Sequence, residues 1–332
     1  MRDTGIGAER AGWRRAGAAV ARLSVAALSV AALALAGCAL TSHETQRSPL
    51  GTPARSSAML AVIDAPGPIE LETVNSADWV VDRGGLINLD NPRAKAAGLK
   101  DGDEPIQVYF HALRHPKFGL FIVDTGIERA LRDAPDKAAI RGLAASFMKL
   151  DKLQVHEPLG PWLAKQRVPL KGVLLTHLHL DHVSGMPDVP PGTPIHAGPG
   201  EAGERAARNL VLQANMDREF AKQGPLREWT FAADPDGRFE GLLDVFGDGS
   251  LWAIWTPGHT KGSTAYLART TAGAVLMTGD TCHTAWGWKN EVEPGGFTED
   301  HAANLDSLQR LRRLVAEHPA ISVRLGHQRL AE

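Results

Sequence analysis

The 332-residue chain has only two cysteines, Cys38 and Cys282. At most one disulfide is available, so stability must come from a packed core rather than from a disulfide framework. Charge of one sign is also missing. Lys and Arg number 36 against 38 Asp and Glu, the net charge is −2, and no basic cluster stands in the body of the chain. That excludes the electrostatic footprint of a nucleic-acid-binding protein. The N-terminal apolar run "LSVAALSVAALALA", Leu23 to Ala36, is 14 residues long, too short to span a bilayer comfortably. No internal repeat of solenoid length is present. What remains is an ordinary globular composition, 43% hydrophobic and 22% charged, enough for one large domain or two small ones.

Arg2, Arg10, Arg14, Arg15 and Arg22 precede or flank that apolar run. A basic segment followed by a run of this length reads as a secretory signal peptide. The run closes on "LAGC", Leu35 to Cys38, which resembles the lipobox of bacterial lipoproteins. The resemblance implies that residues 1–37 are removed and that Cys38 is lipidated. The protein is then an exported lipoprotein anchored to the cell envelope, on its periplasmic or extracellular face, with no transmembrane helix. "TSHETQRSPLGTPARSSA", Thr41 to Ala58, is polar and rich in Ser, Thr and Pro, so residues 38–58 are expected to form a flexible tether. With Cys38 acylated, Cys282 has no disulfide partner and is expected to be buried.

From about Ile69 onward strands come first. "IQVYFHAL" (Ile106 to Leu113) and "LFIVD" (Leu120 to Asp124) flank the turn "HPKFG" and read as a hairpin. Helices broken by "EPLGP" are expected over Lys137 to Lys165, then the short apolar strand "VLLT" (Val173 to Thr176), then a helix over Gly200 to Gln223. Strands return at Leu251 to Thr256, Thr264 to Arg269 and Ala274 to Asp280. An amphipathic helix over Thr298 to His318, capped by Thr298 or Asp300, precedes a last strand over Ile321 to Gly326. This order implies two sheets with helices outside them, and continuous apolar strands imply burial on both faces.

Metal-ligand side chains recur where those strands end. "THLHLDH" puts His177, His179, Asp181 and His182 directly after a buried strand. In extended chain His177 and His179 point the same way, and Asp181 and His182 follow where the chain turns. A helix could not converge such a set. "TPGHTKGS", "TGDT" and "LGHQ" add His259, Asp280 and His327, preceded by Gly258, Gly279 and Gly326. Glycine permits the sharp turn that aims the next side chain into a shared cleft. Such a set of N and O donors suits two metal ions close together.

The set resembles the metallo-β-lactamase-fold hydrolase superfamily, whose motif is His-x-His-x-Asp-His followed in order by His, Asp and His. The likeness runs from Ile106 to Gln328, and "IVDTG" (Ile122 to Gly126) matches the superfamily's early Asp motif. The resemblance implies a four-layer αββα sandwich over residues 59–332 and two Zn²⁺. His177, His179 and His259 would hold one ion, Asp181, His182 and His327 the other, with Asp280 bridging and Asp124 supporting the ligands from behind. Hydroxide between the ions would attack an electrophilic carbonyl, with Asp280 shaping the bridge and Asp181 able to shuttle a proton. A small-molecule substrate is implied.

Asp at position 280 sets the chain apart from the true β-lactamases. About fifty residues separate "IVDTG" from "THLHLDH", with a helical insert around Ala138 to Gln166. That resembles the acyl-homoserine lactonase-like branch and implies hydrolysis of a lactone or related ester. A glyoxalase II-like thioesterase is the alternative, but only five residues follow His327, where that family carries a helical substrate domain. A non-catalytic, metal-stabilised envelope lipoprotein is the other alternative; one structural zinc site needs only four ligands, and here there are seven. His283 departs from the lactonase pattern, which has a Tyr three residues after the bridging Asp. A His can donate the same hydrogen bond to a substrate carbonyl, and it can equally pack beside the cleft. Trp286, Trp288 and Phe297 either line an acyl pocket or belong to the core. Cys282 is expected to be a buried small hydrophobe rather than a ligand.

Overall fold

Strands that are apolar on both faces must be covered twice, and that requirement sets the architecture. The computed structural model describes residues 39–206 and 209–330. Residues 1–38, on which the signal-peptide and lipidation expectations fall, lie outside the described residues. In chain order the strands are β1 (Thr45–Arg47), β2 (Thr52–Pro53), β3 (Glu70–Asp82), β4 (Asp103–His115), β5 (Gly119–Val123), β6 (Gln154–Val155), β7 (Leu170–Leu174), β8 (Ile195–Ala197), β9 (Leu226–Glu228), β10 (Leu242–Asp244), β11 (Leu251–Trp255), β12 (Thr264–Thr270), β13 (Gly273–Met277) and β14 (Ser322–Arg324). They form one sheet in the order β1-β9-β8-β7-β5-β4-β3-β6 and a second in the order β14-β13-β12-β11-β10-β2.

Side-chain alternation sorts each strand between two cores. Phe121 and Val123 of β5 meet Leu251 and Ala253 of β11 and Tyr266 of β12 between the sheets. The alternate residues Leu120 and Ile122 face outward, under Ala144, Trp162 and Met216 of the helices Leu143–Phe147, Leu159–Ala164 and Asn209–Glu219. On the other side Trp252, Ile254 and Leu267 are covered by Leu311 and Leu314 of the helix His301–Glu317. The layers are helix, sheet, sheet, helix, as the αββα expectation requires.

The expected hairpin is present, with β4 antiparallel to β5. The C-terminal helix is capped by Asp300, which accepts from Ala303 N at 3.0 Å. Other expectations need correction. Residues 39–58 are not a free tether. Strand β1 pairs with β9, β2 pairs with β10, Leu40 is buried in the core, and Thr41 Oγ1 donates to Asp217 Oδ1 at 2.7 Å. A polar, Ser/Thr-rich composition is equally what an edge strand needs, and both sheets offered an open edge. Among the described residues the helix expected over Gly200 to Gln223 covers Asn209–Glu219, and residues 201–206 form a turn and an isolated bridge with Glu201 in the interior. Pro158 does not break a helix. It caps the N-terminus of Leu159–Ala164, where a missing N–H costs nothing.

Candidate metal centre

Five loops that follow β5, β7, β11, β13 and β14 deliver the site. They carry Asp124, the His177–His182 group, His259, Asp280 and His327. Two glycines are demanded by the close approach. A Cβ on Gly326 would stand 2.1 Å from Asp280 Oδ1. One on Gly258, whose φ is +138°, would stand 2.1 Å from the Asn304 nitrogen.

The donors fall into two sets whose ligand atoms lie within 4.8 Å of one another: His177, His179, His259 and Asp280, and Asp181, His182, His327 and Asp280. Asp280 belongs to both. Around its Oδ2 stand Nε2 of His182 at 3.2 Å, His327 at 3.3 Å, His259 at 3.5 Å and His177 at 3.6 Å. Nδ1 of His179 lies 2.9 Å from His259 Nε2. All seven residues expected from the sequence are thus brought together.

The far nitrogens are occupied in a way that aims the near ones inward. Nδ1 of His182 lies 2.8 Å from Asp124 Oδ2, Nδ1 of His327 lies 2.9 Å from the Gln107 carbonyl, and Nδ1 of His259 lies 3.1 Å from Thr298 Oγ1. Such partners fix the tautomer and leave Nε2 as a lone-pair donor. Asp124 does this from a left-handed backbone (φ 56°) and also accepts from Thr176 N at 2.8 Å. A non-glycine residue held there needs the surrounding bonds to keep it in place.

His177 Nε2, His182 Nε2 and Asp280 Oδ1 are buried and have no hydrogen-bond partner. Orphaned buried polar atoms converging on one space are what a metal ligand set looks like without its ion. The charge pattern agrees. Burial holds His177 and His259 well below the usual imidazole range, as neutral ligands should be. Burial opposes ionisation of Asp181 and Asp280, yet the facing imidazoles keep both carboxyls well below their usual range. Burial likewise opposes protonation of His182 and His327, but Asp280 with Asp124 and Asp181 outweighs it. His182 is pushed well above its ordinary value and His327 to about 10. The carboxylates draw positive charge into this half, and a divalent cation fits that demand. The residues present fit one ion in each set.

His283 lies inside the cluster. Its Nδ1 is 3.1 Å from the Leu86 carbonyl and its Nε2 is 2.9 Å from Asp280 Oδ2. Cys282 is buried, with its thiol pushed up to about 12 by burial and its sulfur 3.5 Å from the Thr284 carbonyl; it is not in either donor set. Trp288 packs in the core under the helix His301–Glu317, and Trp286 packs beside Val292 and Ile127. Phe297 stays partly exposed over Gly85. His196 stacks on Trp229, a packing role.

One residue escaped the sequence reading. The buried carboxylate of Glu201 accepts from Leu178 N at 2.9 Å, between His177 and His179. It also accepts from Thr260 Oγ1 at 2.5 Å and Gly262 N at 2.8 Å, just past His259. It ties together the two loops that carry the first set, at a cost that shows as a carboxyl raised to about 7 by burial. In the sequence it is one Glu in a Gly-rich stretch before a helix, with nothing to mark it as buried.

Comparison with known proteins follows the same lines. The profile of the metallo-beta-lactamase superfamily matches residues 107–327. The chain is 29% identical over 237 residues to the N-acyl homoserine lactonase AttM of Azorhizobium caulinodans, covering 68% of this chain and 83% of that one. The AttM lactonase of Agrobacterium fabrum is 29% identical over 236 residues, with the same coverage. Among solved structures, that of a quorum-quenching N-acyl homoserine lactone hydrolase superposes with a TM-score of 0.54 at 20% identity, covering 80% of this chain and 93% of that chain. It shares the fold.

Proposed function

The chain belongs to the metallo-beta-lactamase superfamily, a hydrolase fold that goes with bound metal ions, and from that premise we propose that it is a dinuclear zinc-dependent hydrolase of lactones or related carboxylic esters. One observation carries the proposal: two complete donor sets sharing the single carboxylate of Asp280, with inward-facing atoms left unbonded. When bound, the two ions supply a Lewis acid for the carbonyl oxygen and a water acidified towards neutrality. The chain's residues do the rest. Asp124, Gln107 and Thr298 hold the imidazoles in the ligating tautomer. Asp181 is the most exposed carboxylate of the cluster and passes protons between site and solvent. His283 presents Nε2 into the same space and contacts the substrate carbonyl oxygen. Burial of His177, His182, His259, Asp280 and His327 keeps bulk water from most of the site.

The AttM relatives support the lactone over other acyl substrates. A rate panel on zinc-loaded protein tests the choice, with an acyl-homoserine lactone, a simple lactone, a glutathione thioester, a phosphodiester and a β-lactam. Preference for the thioester or the phosphodiester overturns it. The "LAGC" sequence supports a second element of the proposal, that Cys38 is acylated and anchors the protein to the envelope membrane. Cys38→Ser is expected to move the protein from the membrane fraction to the soluble one.

A further inference from the structure

Four large apolar side chains are exposed on two helices, one of which holds the segment where the described chain begins. Leu143 and Phe147 are 81% and 74% exposed, and Leu210 and Val211 are 55% and 57% exposed. They stand on two short helices that pack together, Leu143–Phe147 and Asn209–Glu219. Ala144 and Met216 share one core cluster, and Asn215 Oδ1 accepts from Arg141 N. Well-packed surfaces rarely expose such a group without a partner.

The N-terminal stretch is pinned to the same face. The Glu204 carbonyl accepts from both Leu40 N at 3.0 Å and Asn209 Nδ2 at 2.9 Å, so residue 40 lies beside the first turn of the helix that carries Leu210 and Val211. Ala39 pairs with Arg205, and Thr41 and Ser42 both bind Asp217 of that helix. Cys38 is one residue before this pinned segment.

We propose that these two helices are a membrane-docking face, and that Leu143, Phe147, Leu210 and Val211 enter the acyl region of the bilayer reached by the lipid on Cys38. The proposal rests on the lipidation reading. Because residues 39–47 are fixed to the body, acyl chains on Cys38 cannot hold the domain at a distance, and the face around them is pressed onto the membrane. An apolar patch beside an acyl chain gives the second signal that stable membrane attachment requires.

The test takes the protein from bacterial membranes, measures the mass of its N-terminal peptide for acylation, and reconstitutes it in phosphatidylethanolamine–phosphatidylglycerol vesicles. Hydrogen exchange over residues 143–147 and 210–216 is expected to slow at least tenfold relative to Cys38→Ser protein without vesicles, with other surface helices unchanged. Phe147→Ser with Leu210→Ser should restore fast exchange while acylation and turnover stay as before. Acylated protein whose exchange does not slow overturns the docking face and leaves the lipid reading intact. Protection on vesicles without acylation overturns the lipid reading and keeps the face. Protection that grows with protein concentration in the absence of vesicles overturns membrane docking in favour of a second copy.

Discussion

The two halves of the candidate metal centre share Asp280 and little else. Behind His259 stands a threonine hydroxyl, and the loops of the first set are tied by Glu201, which touches backbone and hydroxyl rather than any imidazole. Behind the second set stand the Asp124 carboxylate and the Gln107 carbonyl, and Asp181 is itself one of the donors. One half is therefore a neutral pocket held by backbone geometry, with His177 and His259 depressed by burial. The other is an anionic pocket that draws protons onto His182 and His327. A shared bridge joins a half organised by position to a half organised by charge.

Removing the bridge should erase the contrast with the largest effect. Asp280→Asn leaves both sets without their common anion, and turnover of the proposed lactone substrate is expected to fall about 10³-fold, as losing several kcal/mol of charge stabilisation demands. The check is kcat/KM together with zinc content. Next, Asp124→Asn should act on one half only. Zinc affinity of the second set should weaken about 10- to 100-fold, the usual cost of a lost supporting carboxylate, while the first set keeps its ion. Metal analysis after dialysis at limiting zinc should read close to one ion per chain. Equal loss from both halves would show that the division is wrong. Glu201→Gln should do the converse at smaller scale. The amide keeps one acceptor oxygen but loses the other, so the first set is expected to weaken about tenfold or less and the second not at all. Competition with a zinc-sensitive dye resolves the two affinities.

The ligands of both halves were legible in the sequence, whereas of their supporting carboxylates only that of the charged half was. His177, His179, Asp181, His182, His259, Asp280 and His327 each follow a strand signal, and the structure brings all seven together. Asp124 was visible because its motif also closes a strand. Glu201 was not, since burial of a carboxylate in a Gly-rich loop depends on where two distant backbone N–H groups and a threonine hydroxyl fall, and no local pattern encodes that. The segment 39–58 misled for a related reason. Short edge strands need little hydrophobicity, so a chain that pairs through its backbone reads like one that does not pair at all. His283 shows the limit of matching by position. The spacing from Asp280 is legible, but the carbonyl of Leu86 that orients its ring comes from nearly 200 residues away.

The smallest expected effect is the one that separates the halves by sign. In metal-free protein His327 is raised from 6.5 to about 10, and His182 also lies above its ordinary value. A raised folded-state value gives stability that is fully present below pH 6.5 and is lost as pH climbs towards 10. His177 and His259 are lowered, so their contribution is present above pH 6.5 and is lost as pH falls below it. Metal-free protein should thus be destabilised in both directions, by different residues. Zinc takes only neutral imidazole, so at pH 8 filling the second set should release more protons than filling the first, with His327 the leading source. Calorimetric zinc titrations in buffers of different ionisation enthalpy measure that difference. Denaturation midpoints from pH 6.5 to 10 should fall for metal-free protein and hold for zinc-loaded protein. Proton release shared evenly between the two binding events would mean that the second set is no more anionic than the first.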